Sequence, residues 1–244
     1  MSYYDNFYYK TPTVGELQAK ARKSIERAKK KGVIYDPIVV PGTGSQRKLC
    51  TNWWGKAWCA NMEQYSDYAN RLPRGQRYCR NGMVIDLQIE KGVVHAKVQG
   101  SDRTPYDITI TIKPLSQKAK KAIQERCEFG ISSLETLVAG EFPKELQDLF
   151  TAKEGLFPSP SEIKFHCDCP DGAYLCKHVA AVMYGIGIRL DQKPLLLFEL
   201  RGLDPKSLVE KAIANRLESM LKNVDRPSGR ILDAQVNTNE LFGL

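Results

Sequence analysis

Residues 166–187, HCDCPDGAYLCKHVAAVMYGIG, constrain this chain more than any other stretch. They set Cys167-x-Cys169, six intervening residues, then Cys176-x-His178, the number and type of donors that a closed tetrahedral zinc site requires. Two cysteines two residues apart share a face of a strand, so both thiolates can reach one metal, and Pro170-Asp171-Gly172 turns the chain back. Cys176 then opens a helix, whose N-terminal N–H groups favour a thiolate, and His178 in its first turn supplies a neutral imidazole. Three soft sulfurs and one imidazole select zinc over magnesium or calcium. With no position left for water, the metal is expected to hold a hairpin against a helix rather than to catalyse. His166 is a further donor that could replace Cys167 or His178. In a strand it points away from Cys167, and it is read as surface.

The other cysteines (Cys50, Cys59, Cys79 and Cys127) lack the close pairs that metals favour and are read as core thiols. Seven cysteines, an odd number in a chain too large to need disulfide staples, suit reduced thiols plus one metal site. The first residues, MSYYDNFYYK, lack the basic start and apolar stretch of a signal peptide, and no run reaches membrane-span length. The expectation is a cytoplasmic protein. Its 36 basic against 28 acidic residues, a net of +8, tilt the choice of partner toward a polyanion.

Organisation follows from hydrophobic period and stop signals. Thr13 to Lys31 reads as a helix with a Thr13/Glu16 capping box and a Gly32 stop, basic on most of its surface, and is expected to lie on a surface or leave the domain. Residues 36–48, with two prolines and two glycines, read as a linker. From Gly82 to Pro114 the period becomes two, predicting three antiparallel strands in a meander with turns at Glu90-Lys91-Gly92 and Gly100-Ser101-Asp102. Helices are expected from Leu115 to Phe129, from Lys177 to about Leu190, and from Pro205 to Leu221 with Asp204 as cap. Leu195–Leu200 is an apolar run, and the last twenty residues look frayed. The fold class is therefore α+β: a three-stranded antiparallel meander with surrounding helices plus a small zinc-finger unit. The expected divisions are 1–48, a basic helix and linker; 49–150, the α+β domain; 151–202, the finger region; and 203–244, a helix and tail.

The Cys-x-Cys-x6-Cys-x-His pattern followed by Val179-Ala180-Ala181-Val182 resembles the SWIM zinc finger. The stretches NWWGKAW (52–58), RLPRGQRYCRNG (71–82), AKVQGSDRTPY (96–106) and LLLFELRG (195–202) are similar to bacterial SWIM zinc finger proteins, so the resemblance runs from about Leu49 to Arg201. It implies a ββα finger that binds nucleic acid or protein, in proteins often paired with SWI/SNF-type helicase-like ATPases.

Arg71, Arg74, Arg77 and Arg80 recur every third residue in a segment without acidic residues, beside Tyr68 and Tyr78. That is the chemistry of phosphate contacts next to a stacking surface, and equally that of a solvated basic loop. Pro73 and Gly75 are expected to break any long helix there. Lys164, Lys177 and Lys193 could offset the negative charge of a three-thiolate zinc centre or touch phosphate. Trp53, Trp54 and Trp58 stand at helical spacing and read as a core anchor.

Enzyme motifs are missing. GTGSQRK lacks the Gly-Lys-Ser/Thr end of a phosphate loop, no His-Glu-x-x-His occurs, and His178 follows its cysteines where a zinc deaminase needs His-x-Glu before them. Asp86, Glu90 and Asp102 could hold magnesium as in a nuclease, but carboxylates on strand faces and turns are usually solvated. The sequence thus points to a non-enzymatic zinc protein that binds nucleic acid, DNA before RNA, through Arg71, Arg74, Arg77, Arg80 and Lys177. The alternative is a protein-interaction adaptor, with a helicase-like ATPase as the partner in view.

Overall fold

The computed structural model describes residues 11–42, 47–64, 71–130, 134–141 and 143–224. Tyr68, the first ten residues and the twenty read as a frayed tail lie outside the described residues. The order is α1 (Val14–Lys30), α2 (Trp53–Glu63), α3 (Leu72–Arg80), β1 (Val84–Glu90), β2 (Val93–Val98), β3 (Tyr106–Ile112), α4 (Gln117–Gly130), α5 (Leu134–Ala139), α6 (Lys144–Thr151), β4 (Ile163–Cys167), α7 (Lys177–Gln192), α8 (Leu195–Leu200) and α9 (Pro205–Val224).

The α+β class and the meander hold, and the sheet gains a fourth strand, in the order β1-β2-β3-β4. Strict alternation drives β2 and β3: Val94, Ala96, Val98, Ile108, Ile110 and Ile112 face the core, while His95, Lys97, Thr109 and Thr111 face out. The fourth strand is the start of the finger, paired antiparallel to β3 with Ile112 opposite Ile163, Ile110 opposite Phe165 and Ile108 opposite Cys167. This changes the expected ββα unit, because residues 168–176 carry no second strand. A five-residue strand must pair its backbone groups, and the free edge of β3 supplies them.

The first part of the stretch read as a linker is likewise built into the body. Ile38 N–H donates to the Val84 carbonyl (3.0 Å) and Leu87 N–H to the Asp36 carbonyl (3.1 Å), so residues 36–40 run along the open edge of β1. Ile38 and Val40 are buried with Val39 exposed between them, a period of two that Pro37 and Pro41 disguise. Arg189 pairs with Asp36 at 2.9 Å and fixes the segment from the other side.

Helix α1 forms as its capping box requires, with Thr13 N–H on Glu16 Oε2 (2.7 Å) and Glu16 N–H on Thr13 Oγ1 (3.3 Å). It lies on the surface of the body and does not leave it. Leu17, Ala21, Ser24 and Ala28 make a narrow buried face. Ser24 Oγ–H donates to Gln99 Oε1 (2.7 Å), Gln18 to the Asn81 carbonyl (3.3 Å), and Lys20 to the Ser101 carbonyl.

The centre of the molecule is α7, whose residues from His178 to Leu190 are all buried. A helix apolar on every side must be covered on every side. The sheet lies on one flank, and α2 and α3 on the others. Trp54 and Trp58 are fully buried anchors as expected, donating from their indole N–H to the carbonyls of Leu137 (3.0 Å) and Met183 (2.9 Å). The N-terminus of α2 has no side-chain cap of its own. Asp191 from α7 caps it, accepting the N–H groups of Thr51, Asn52 (3.1 Å) and Gly55 (3.2 Å). The apolar run at 195–200 is helical, and α9 starts on Asp204, which accepts the Lys206 N–H at 3.1 Å.

The RLPRGQRYCR stretch is a helix, not the broken loop that its proline and glycine suggest. Pro73 sits in the first turn, where its missing N–H costs nothing. Gly75 sits where α7 touches: a Cβ there would lie 2.4 Å from Ala180 Cβ and 2.7 Å from Ala180 C. No helix among the described residues is long and apolar enough to cross a membrane.

Candidate metal centre

Two different elements bring the four donors together. Cys167 ends β4 on its inner face, Cys169 follows in the loop, Cys176 is the N-cap of α7, and His178 stands in the first turn of that helix. One donor atom from each lies within 4.8 Å of all the others. Cys176 Sγ and His178 Nδ1 are 3.9 Å apart, close to the edge of about 3.6–3.8 Å that Zn–S and Zn–N bond lengths give a tetrahedron. Among the described residues this is the one group of metal-ligand side chains so gathered.

The electrostatics favour a metal-ready thiolate at Cys176. Its thiol is pushed down to about 3, chiefly by the hydrogen bond from Cys167, with further help from His178 and the Val179 N–H against the penalty of burial. That N–H donates to Cys176 Sγ at 3.4 Å, the N-cap bond of α7. Cys167 moves the other way, raised by its hydrogen bond to Cys176 and by burial.

His178 is buried between two aromatic rings, Tyr106 at 4.4 Å and Tyr78 at 5.5 Å between centroids. Its Nε2 is buried with no hydrogen-bond partner, so Nδ1 is the nitrogen turned to the sulfurs. Gly100 allows this packing, since a Cβ there would fall 2.3 Å from Tyr106 and 3.0 Å from His178 Nε2. A donor set of three sulfurs and one imidazole nitrogen, on a strand end and a helix N-terminus, fits zinc.

His166 is exposed on the outer face of β4, opposite Thr109, as its strand position predicts. Lys164 shares that outer face, and Lys193 caps the far end of α7 about 20 Å of helix away, so neither offsets the metal's charge. Lys177 does lie beside the centre, with Nζ 5.2 Å from the ring centroid of Tyr78.

The four arginines of the basic stretch separate into two pairs. Arg71 is half-buried and bonded to Asp171 at 3.2 Å, tying α3 to the loop between Cys169 and Cys176. Arg80 is half-buried, donating to the Arg47 carbonyl (3.0 Å) and to Gln76 Oε1 (3.4 Å). Arg74 and Arg77 are exposed and, with Lys177 and Tyr78, line a cleft of about 500 Å³ between α3 and α1. Among the described residues no acidic side chain lines it. Asp171, Gly100 and Tyr106 are supporting residues that sequence reasoning did not single out. Asp171 stood only as a turn residue and Gly100 only as a β-turn, while nothing local marked Tyr106 as a neighbour of the histidine.

A strand, a loop and a helix N-terminus that converge three thiols and an imidazole define a single-zinc finger. The SWIM zinc finger model matches residues 163–185, from β4 through the first turns of α7, and within that stretch Cys167, Cys169, Cys176 and His178 are placed to bind zinc. It is 32% identical over 179 residues to the "Uncharacterized protein Rv2102" of Mycobacterium tuberculosis (strain ATCC 25618 / H37Rv). That match covers 72% of this chain and 64% of the relative, less than two thirds of its length. No solved structure matches the chain.

Proposed function

We propose that this chain is a cytoplasmic, non-catalytic accessory protein that binds nucleic acid, DNA before RNA, largely through phosphate contacts. One observation carries the reading: Arg74, Arg77 and Lys177 meet at one cleft, with no acidic group in its lining among the described residues. None of the three has an ion-pair partner among the described residues, whereas Arg71 pairs with Asp171 and Arg80 donates to the Arg47 carbonyl, holding α3 in place. Unpaired cations beside an aromatic ring are the chemistry of backbone contact. The zinc acts at one remove, by fixing the helix that bears Lys177. A SWI/SNF-type helicase-like ATPase is the protein partner that the SWIM resemblance adds to this reading.

Anisotropy titrations of zinc-loaded protein against labelled DNA and RNA over a range of salt test it. Three phosphates neutralised give a log–log slope of about −2.1 to −2.7, so affinity falls roughly 20- to 40-fold between 50 and 200 mM salt. Arg74→Glu with Arg77→Glu should flatten that slope. If the double reversal leaves both affinity and slope intact, the arginines are only solvated surface.

A second reading, a protein-interaction adaptor, is favoured by α9. Ile213, Leu217, Met220 and Leu221 stand exposed at helical spacing on its outer half. Capture of a helicase-like ATPase that is insensitive to salt, with flat nucleic-acid titrations, would place this reading first.

A further inference from the structure

We infer that the cleft between α1 and α3 is a single-strand site, which admits one unpaired base of a nucleic-acid chain while Arg74, Arg77 and Lys177 hold the flanking phosphates. The inference rests on the phosphate-binding reading above and adds to it the form of the strand.

A surface that only neutralises a duplex needs no recess. Here the cations border one of about 500 Å³, within the range of about 300–1,000 Å³ typical of sites that enclose a small ligand. Its lining joins the apolar side chains of Val14, Leu17 and Met83 to the ring of Tyr78. Apolar walls and an aromatic ring inside a cationic border match how proteins take up single strands, where each base offers a face to stack and the backbone lies in a positive groove. A base in a duplex presents only its edges and must leave the stack to enter, whereas an unpaired base enters without that cost.

The walls are fixed before any ligand arrives. Tyr78 is held edge-on by His178 and lies under Lys177, and His178 belongs to the metal quartet. The opposite wall, α1, is held by Gln18 on the Asn81 carbonyl and Lys20 on the Ser101 carbonyl. Fixing both walls lowers the ordering cost of binding. It also makes the cleft depend on the metal, because the residues on either side of Lys177 are ligands.

The test uses the full zinc-loaded chain and equal-length single-stranded DNA, single-stranded RNA and duplex DNA, with 2-aminopurine placed in the single strands. Binding to a single strand of either sugar at least tenfold tighter than to duplex at the same salt, with a change in 2-aminopurine emission, is the expected result. Val14→Trp should fill the cleft from an exposed position in the first turn of α1, away from the zinc ligands. It should weaken single-strand binding about 5- to 160-fold, the range lost with one stacked base, and leave duplex binding unchanged. Tyr78→Ala should give the same selective loss, and Val14→Trp decides the matter if that variant melts early. Equal affinity for single strand and duplex with steep salt dependence, or a Val14→Trp protein with its preference intact, overturns the single-strand site and leaves phosphate binding standing. No binding of any strand at low salt overturns both.

Discussion

Replacing Gly75 with alanine sets two effects of opposite sign against each other at the contact that joins the basic helix to the finger. In an isolated helix the change stabilises by about 1 kcal/mol. In this fold the new Cβ would lie 2.4 Å from Ala180 Cβ, 2.7 Å from Ala180 C and 2.8 Å from Ala181 N. Ordinary carbon contacts are about 3.5–4.0 Å, so α3 must back away from α7 by roughly 1 Å. Two of the three atoms are backbone of a wholly buried helix and cannot rotate aside. Overpacking of this kind costs about 1–3 kcal/mol, and the backbone contacts put it at the upper end. The net expectation is a loss of about 1–2 kcal/mol, or a melting temperature lower by about 2–8 °C at this chain length. Thermal and urea unfolding of zinc-loaded protein measure it. Gly15→Ala is the internal control: nothing lies within 4 Å of a Cβ there, so the same substitution in α1 should be neutral or stabilising. A Gly75→Ala protein as stable as the parent would refute the close α3–α7 contact and the placing of Arg74 and Arg77 that depends on it.

Three further outcomes are expected. The chain should bind one zinc, and its removal should unfold residues 163–185, because apparent zinc energies of about 10–16 kcal/mol in finger peptides match or exceed the whole stability of a domain; hydrogen exchange of β4 reads this, and unchanged protection after chelation would contradict it. Asp191→Ala should cost about 2 kcal/mol by removing the cap from three N–H groups at the start of α2, read by urea unfolding. Arg201 is wholly buried and bonded to Glu162 at 2.7 Å, so Arg201→Met alone should cost about 3–5 kcal/mol, and the double change with Glu162→Gln much less. Burial pushes the Glu162 carboxyl up, but the Arg201 hydrogen bond and the Ser159 contacts outweigh it and hold it below its ordinary value. Its contribution is therefore complete above the unfolded pKa and lost as pH falls through the lowered folded one, so the stability gap between parent and Glu162→Gln should close on acidification.

What could be read in advance divides by distance along the chain. The metal quartet spans twelve residues and the Thr13/Glu16 box four, so local spacing revealed both. The meander was equally legible, because Ile108, Ile110 and Ile112 alternate with threonines and short turns allow little else. The pairing of the fourth strand was not: IKFHC reads as a strand of the finger, and nothing local says that its partner is β3 rather than a second finger strand. Residues 36–40 were hidden by their prolines, which mark a linker and a covered sheet edge alike. Asp191 lies 139 residues from the Asn52 it caps, and Arg71 lies 100 from Asp171. Such partners have no signature at either end, so Arg71 read as a phosphate contact on the same grounds as Arg74.

The placing of the finger explains why the metal matters beyond its own loop. If the quartet closed a separate unit, its loss would leave the meander and the basic helix undisturbed. Instead Cys167 ends the strand that completes the sheet edge, while Cys176 and His178 begin the helix around which α2, α3 and the sheet pack. A metal bound there joins the sheet edge to the start of the central helix. The His178 ring continues that connection to Tyr78, and Arg71 continues it through Asp171 to the first turn of α3. Arg74, Arg77 and Lys177 therefore sit on the part of the fold that zinc organises. Their spacing should respond to the metal even though none of them touches it.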